Sequence, residues 1–129
     1  MPFSKQIEVR WRDMDAFSHV NNAAYLTYLE EARDEWLYGL VGIERGKAFL
    51  LARVAIDYRS PVTQDDDAVA VTVELVKLGR SSVVTRELVT VLHDGRIAVE
   101  AESVLVQVDG TTGSAAPIGD DVRAALLAD

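Results

Sequence analysis

Near the start of the chain, Ile7, Val9 and Trp11 alternate with Glu8, Arg10 and Arg12. A period of two puts successive side chains on opposite faces, so this stretch predicts a half-buried strand. A polar, turn-prone segment follows over residues 13–22, and then the period changes. Tyr25, Leu29, Ala32 and Trp36, helped by Tyr28, Leu37 and Leu40, form an apolar stripe at helical spacing. Glu30, Glu31, Asp34 and Glu35 fall mainly towards the other side. Asn21 or Asn22 can cap the first turn with its side-chain oxygen, and Gly39 and Gly42 suit the far end. The spacing predicts one long helix from residue 23 to about residue 40.

The rest is patterned as strands. Residues 49–58 form one candidate, ended by Ser60-Pro61, and the valine-rich residues 68–78 form another, broken by Gly79. Residues 81–92 and 97–108 flank His93-Asp94-Gly95-Arg96. An Asp-Gly pair between β-branched runs signals a hairpin whose two central residues both take positive φ. A Gly/Thr/Ser loop then leads past Pro117 to a short helix over residues 120–127. The order is strand, long helix, four antiparallel strands and a short helix, an α+β arrangement. A five-stranded sheet and one amphipathic helix can bury each other's apolar faces if the sheet curls around the helix. No repeat or second domain is visible, so residues 1–129 are expected to form a single domain.

Composition narrows the function. The 129-residue chain has 49% hydrophobic residues, enough for a core, and no cysteine, which excludes disulfides, thiolate metal sites and a catalytic thiol. Two histidines do not make a multi-histidine zinc site, and no cofactor is implied. The net charge of −8 argues against nucleic acid as a partner. The N-terminus lacks a secretory pattern, and the apolar run at 49–56 is interrupted by Arg53 and too short to cross a bilayer. A cytoplasmic protein with no membrane partner is expected. Ten of the thirteen basic residues are arginine, suited to holding phosphate locally even on an acidic chain.

The candidate chemistry is concentrated in Asp13, Asp15, Ser18, His19, Asn21 and Asn22, just before the helix. Free amides at a helix N-terminus carry partial positive charge, and the Asn22 amide or its neighbour could stabilise an oxyanion developing on a bound carbonyl. A neighbouring carboxylate could attack that carbonyl or activate water. The same residues also serve turns and caps, where aspartate and asparagine are common for local reasons. His19 divides similarly between a chemical role and fixing the loop. Glu31 fits a solvated face, His93 a hairpin tip, and Arg53, Arg59 and Arg86 fit a strand surface or a phosphate contact.

The stretch Asp13-Met14-Asp15-Ala16-Phe17-Ser18-His19-Val20-Asn21-Asn22-Ala23-Ala24-Tyr25-Leu26, with Leu29-Glu30-Glu31-Ala32-Arg33, resembles the 4-hydroxybenzoyl-CoA thioesterase-like hotdog family. The His-Val-Asn-Asn form is most similar to its bacterial long-chain acyl-CoA thioesterase branch. Ile56-Asp57-Tyr58-Arg59-Ser60-Pro61 and Leu78-Gly79-Arg80-Ser81-Ser82 agree with it. The resemblance implies a five-stranded antiparallel sheet wrapped around the long helix, with substrate bound between subunits of a homodimer or homotetramer. It implies Asp15 as general base or nucleophile, the Asn22 amide as the polariser of the thioester carbonyl, and Arg80 and Ser82 as contacts for CoA. A glycine commonly precedes the histidine in this branch, where Ser18 stands here. The implied reaction is hydrolysis of acyl-CoA. Alternatives are the same chemistry on acyl carrier protein, which would need a local basic face, and a hotdog module that binds acyl-CoA without turnover, against which Asp15 argues. A hotdog hydratase would call for an Asn-Pro after the aspartate, which is missing.

Overall fold

The structure is a computed structural model that describes residues 2–42 and 47–129. In chain order these form β1 (Phe3–Glu8), a 3₁₀ turn (Trp11–Asp13), α1 (Asn22–Val41), β2 (Lys47–Tyr58), a second 3₁₀ turn (Gln64–Asp66), β3 (Ala68–Leu78), β4 (Ser82–Val91), β5 (Ile97–Asp109) and α2 (Asp120–Ala128). The strands make one antiparallel sheet in the order β1-β3-β4-β5-β2. This is the five-stranded sheet, long helix and short C-terminal helix expected from the sequence.

Each element forms where its pattern is satisfied. Asn21 caps α1, its side-chain oxygen accepting from the Ala23 amide at 2.8 Å. Gly42 ends the helix at φ 71°, a left-handed conformation that glycine adopts without a Cβ clash, and its N–H donates to Tyr38 O. The predicted stripe, Tyr25, Tyr28, Leu29, Ala32, Trp36 and Leu37, is buried against the sheet's inner face in one hydrophobic cluster. Strict alternation on β4 turns Val83, Val89 and Val91 inward, and β5 supplies Val99, Ala101 and Leu105. From α2, Leu126 joins the same cluster, and Trp36 Nε1 donates to Asp129 Oδ2 at 3.0 Å.

Two expectations are corrected. Trp11 does not continue the first strand. It opens the 3₁₀ turn and is 77% exposed, because the Asp13 carboxylate takes the Arg10 amide (3.1 Å) and turns the chain away from the ladder. The β4–β5 hairpin is not a two-residue turn, since only Gly95 has positive φ (74°). Gly95 N–H donates to Val91 O at 2.7 Å and Val91 N–H to Arg96 O at 3.0 Å, closing a four-residue loop with its left-handed residue last.

α1 also buries a charge. Arg33 faces Glu87 on β4 at 3.4 Å, and Glu87 accepts from Thr85 (2.8 Å) and Ser103 (3.2 Å). Thr85 and Ser103 are cross-strand partners, so this polar set spans β4 and β5 beneath the helix.

Candidate active site

The loop between β1 and α1 is pinned by Asp13. This buried carboxylate accepts from Arg10 Nη2 at 2.9 Å and Tyr28 Oη at 2.7 Å, while Asp13 O accepts from the Asn21 amide at 2.8 Å. Burial alone would raise its pKa, but the hydrogen bonds from Arg10 and Tyr28 outweigh that and hold the carboxyl below its usual value. Burial, then the hydrogen bond to Asp13, pushes the Tyr28 phenol far up. With these partners Asp13 is an anchor of the loop.

Asp15 begins a tight turn. Its amide donates to His19 O at 2.9 Å, the Ser18 amide donates back to Asp15 O at 3.0 Å, and Met14 bridges Val20. The turn requires φ 61° at Ser18, the position where the resembling branch carries glycine. Asp15 Oδ1 accepts from the Phe17 amide at 2.8 Å, and Oδ2 takes no hydrogen bond among the described residues. The half-buried carboxylate thus keeps one oxygen free.

Next along the chain, Asn21 takes two first-turn amides: Ala23 N–H on its side chain and Ala24 N–H on its carbonyl (2.9 Å). The Asn22 N–H has no acceptor among the described residues. Asp15, His19 and Asn22 line one cavity of about 390 Å³, whose other walls include Phe17, Tyr25 and Tyr58. A carbonyl entering there meets a carboxylate and a helix N-terminus together. A larger cavity of about 590 Å³, bordered by Trp11, Arg12 and Thr63, also touches Asp15 but does not reach the helix N-terminus. The smaller one therefore holds the more complete chemistry.

Sequence reasoning does not single out Tyr25 and Tyr58 as site residues, although both lie in the quoted motifs. Their rings stand 5.7 Å apart, and Tyr58 Oη donates to Asn22 O at 3.1 Å, tying the end of β2 to the helix N-terminus. Burial and the neighbouring Tyr58 push the Tyr25 phenol up to about 12, so it stays a neutral donor near neutrality. Only the end-of-strand position of Tyr58 hints at this contact.

Arg80 and Ser82 do not join this cleft within one chain. Arg80 sits in the β3–β4 turn and Ser82 opens β4; there the Gly79 amide donates to Ser82 O at 2.8 Å and Arg123 holds Gly79 O at 2.9 Å. The register pairs Glu8, at the Asp15 end, with Ala68, and β3 runs ten residues on to Leu78. At about 3.3 Å per residue the turn lies roughly 33 Å along the sheet. Arg59 is paired with Glu100 (2.8 Å) and Arg86 faces Glu74 (3.5 Å). Glu31 is exposed, and His93 Nε2 lies 2.8 Å from Asp66. Among the described residues no three His, Asp or Glu side chains converge as a metal ion would require, and no helix is long and apolar enough to cross a membrane.

A family model described as the thioesterase-like superfamily matches residues 9–126. The long-chain acyl-CoA thioesterase FadM of Escherichia coli (strain K12) is 30% identical over 125 residues, 94% of each chain. The structure of a thioesterase from Thermus thermophilus complexed with coenzyme A and Zn is similar at TM-score 0.85 and 37% identity, over 97% of this chain and 91% of that one. A candidate thioesterase from Pseudomonas aeruginosa gives TM-score 0.87 at 32% identity, over 97% and 98% of the two chains.

Proposed function

The chain belongs to the thioesterase-like superfamily and is a thioester hydrolase, and from that premise we propose that it cleaves acyl-CoA to a carboxylic acid and CoA in the smaller cavity beside Asp15. Residues 1–129 act as one domain of that kind. The observation that carries this reading is a carboxylate and an unclaimed first-turn amide, Asn22 N–H, on one cleft.

With the carbonyl oxygen turned to the Asn22 amide, charge developing on oxygen is met by that N–H and by the positive end of α1. Asp15 supplies electron density by one of two routes. As a base it takes a proton from water, whose oxygen bonds to the carbonyl carbon as the carbon–sulfur bond breaks. As a nucleophile its own oxygen forms that bond, and water later releases the acid from the anhydride. In both, sulfur departs with the bonding pair and is protonated to the free thiol. His19, on the same wall, orients the water or the carboxylate. Phe17, Tyr25 and Tyr58 offer the acyl group an apolar surface.

CoA itself is held by Arg80 and Ser82 of a second copy. β2 is an edge strand, and its Leu50, Leu51 and Tyr58 are exposed. Lys47 pairs with Asp109, and Ser82 with nearby Val106, so the Arg80 turn shares the Lys47 end of β2. Tyr58, at the other end, touches the Asp15 cleft. Antiparallel pairing of two β2 edges about a two-fold axis lays the Lys47 end of one chain beside the Tyr58 end of the other. The partner subunit's Arg80 then approaches this chain's Asp15.

The test is Asp15→Asn, assayed by thiol release from short, long and aromatic acyl-CoAs. Neither route survives loss of the charge, so turnover should fall by at least roughly a hundredfold, the scale of general-base assistance. Asp13→Asn should act mainly by loosening the loop and lowering the melting temperature, with a milder loss of turnover. Near-normal turnover in Asp15→Asn would discard the carboxylate mechanism.

A further inference from the structure

One wall of the Asp15 cleft is a short strap, Ser60 and Pro61, and it is suspended between two parts of the fold. On one side Val62 O accepts from the Val20 amide at 2.8 Å, directly after His19. On the other, Arg59 N–H and Ser60 N–H both donate to Ala98 O (2.8 and 3.2 Å), and Ser60 Oγ donates to Ile97 O at 2.7 Å. The last tether is a side chain: Arg96 Nη2 donates to Pro61 O at 3.0 Å. No other group donates to Pro61 O among the described residues.

Arg96 is itself held. The same Nη2 reaches Asp66 Oδ2 at 2.7 Å, and Nη1 pairs with Asp94. Asp66 also accepts from the Thr63 amide at 2.9 Å and meets His93 Nε2 at 2.8 Å. A planar guanidinium can grip a carbonyl and two carboxylates at once, a geometry a lysine ammonium cannot reproduce. Arg96 thus locks the strap to the β4–β5 hairpin, and Asp66 locks Arg96.

We propose that Arg96 is a positioning residue for the hydrolysis, fixing Pro61 and, through Val62 and the Val20 amide, the spacing between the cleft wall and the loop that carries Asp15. This rests on the Asp15 cleft being the reacting site. Arg96 touches no substrate. It acts by keeping Asp15 and the wall in register, and a misplacement of about 1 Å can cost on the order of a hundredfold in rate.

The test compares Arg96→Gln, Arg96→Lys and Asp94→Asn with the wild-type protein, by steady-state kinetics and by amide hydrogen exchange. In Arg96→Gln the Val20 amide should exchange about tenfold faster while Val71 and Val73 in β3 keep their rates, a local opening rather than a global one. Its kcat should fall roughly tenfold with KM moved less than about threefold, since what is lost is alignment of the reacting groups. Arg96→Lys should regain melting temperature through Asp66 without regaining kcat. Asp94→Asn, which removes one of the two carboxylates holding Arg96 and leaves Asp66 in place, should shift both readouts less than Arg96→Gln does. Wild-type kcat and Val20 exchange in Arg96→Gln would overturn the proposal, as would full recovery of kcat in Arg96→Lys. If the wild-type protein released no thiol, the hydrolase reading would fail, and the exchange of Val20 would still decide the tether.

Discussion

Ser18 holds a conformation its side chain does not favour. A left-handed φ of 61° brings a Cβ towards the backbone, and the Ser18 hydroxyl makes no hydrogen bond among the described residues to offset it. Glycine at this position would remove the clash at the expense of a more flexible unfolded chain. Ser18→Gly should therefore raise stability by about 0.5–1 kcal/mol, a few degrees in melting temperature, with turnover kept because the loop shape is the same. A lower melting temperature in that variant would show that the turn is not strained there. The position is legible in the sequence as a departure from a pattern, but its cost is not. A backbone angle depends on how Asp15 N and Ser18 N close the turn on His19 O and Asp15 O, and spacing does not encode that.

At the scale of elements, periodicity locates α1 and the last four strands to within about two residues, because each has one face on the core and one in solvent. β1 lies earlier, at Phe3–Glu8, and shares only Ile7 and Glu8 with the alternation that predicted it. Asp15, His19 and Asn22 meet because they stand on a single short loop and the first turn it leads into. Trp11 escapes because a side chain two residues further on, the Asp13 carboxylate, ends the ladder. Arg33 and Glu87 escape because a charged residue on an apolar face is visible in the pattern, while its partner across the fold is not. In hindsight β4 alternation carries Glu87 inward with Val83, Thr85 and Val89. Removing one member of a buried pair strands the other charge, so Arg33→Met should destabilise by about 3–5 kcal/mol. Adding Glu87→Gln to it should recover most of that loss, because no net charge is then buried. Equal, additive losses in denaturant unfolding would mean that the two side chains do not act as a pair.

The whole molecule has the proposed reactive carboxylate at one end of the sheet and the candidate CoA contacts at the other, and the proposed pairing with a second chain would resolve that separation. Arg80→Ala should raise KM more than it lowers kcat, because a phosphate contact is nearly uniform between ground and transition states. Mixing Asp15→Asn with Arg80→Ala and allowing subunits to exchange gives heterodimers with one site intact. At substrate well below KM, roughly a quarter of wild-type activity should then return. No recovery would place Arg80 in its own chain's site. Light scattering that found only the 14.1 kDa monomer at micromolar concentration would remove the shared site altogether.

The two tryptophans stand in opposite surroundings: Trp36 is 2% exposed between the helices, and Trp11 is 77% exposed on the rim of the larger cavity beside Asp15. The protein therefore carries two built-in optical probes. Emission should separate into a short-wavelength component that acrylamide leaves alone and a long-wavelength component that it quenches. Trp11→Phe should delete only the second, leaving Trp36 as a clean reporter of unfolding. In the native sequence, Trp11 can then signal occupancy of the rim without any added dye.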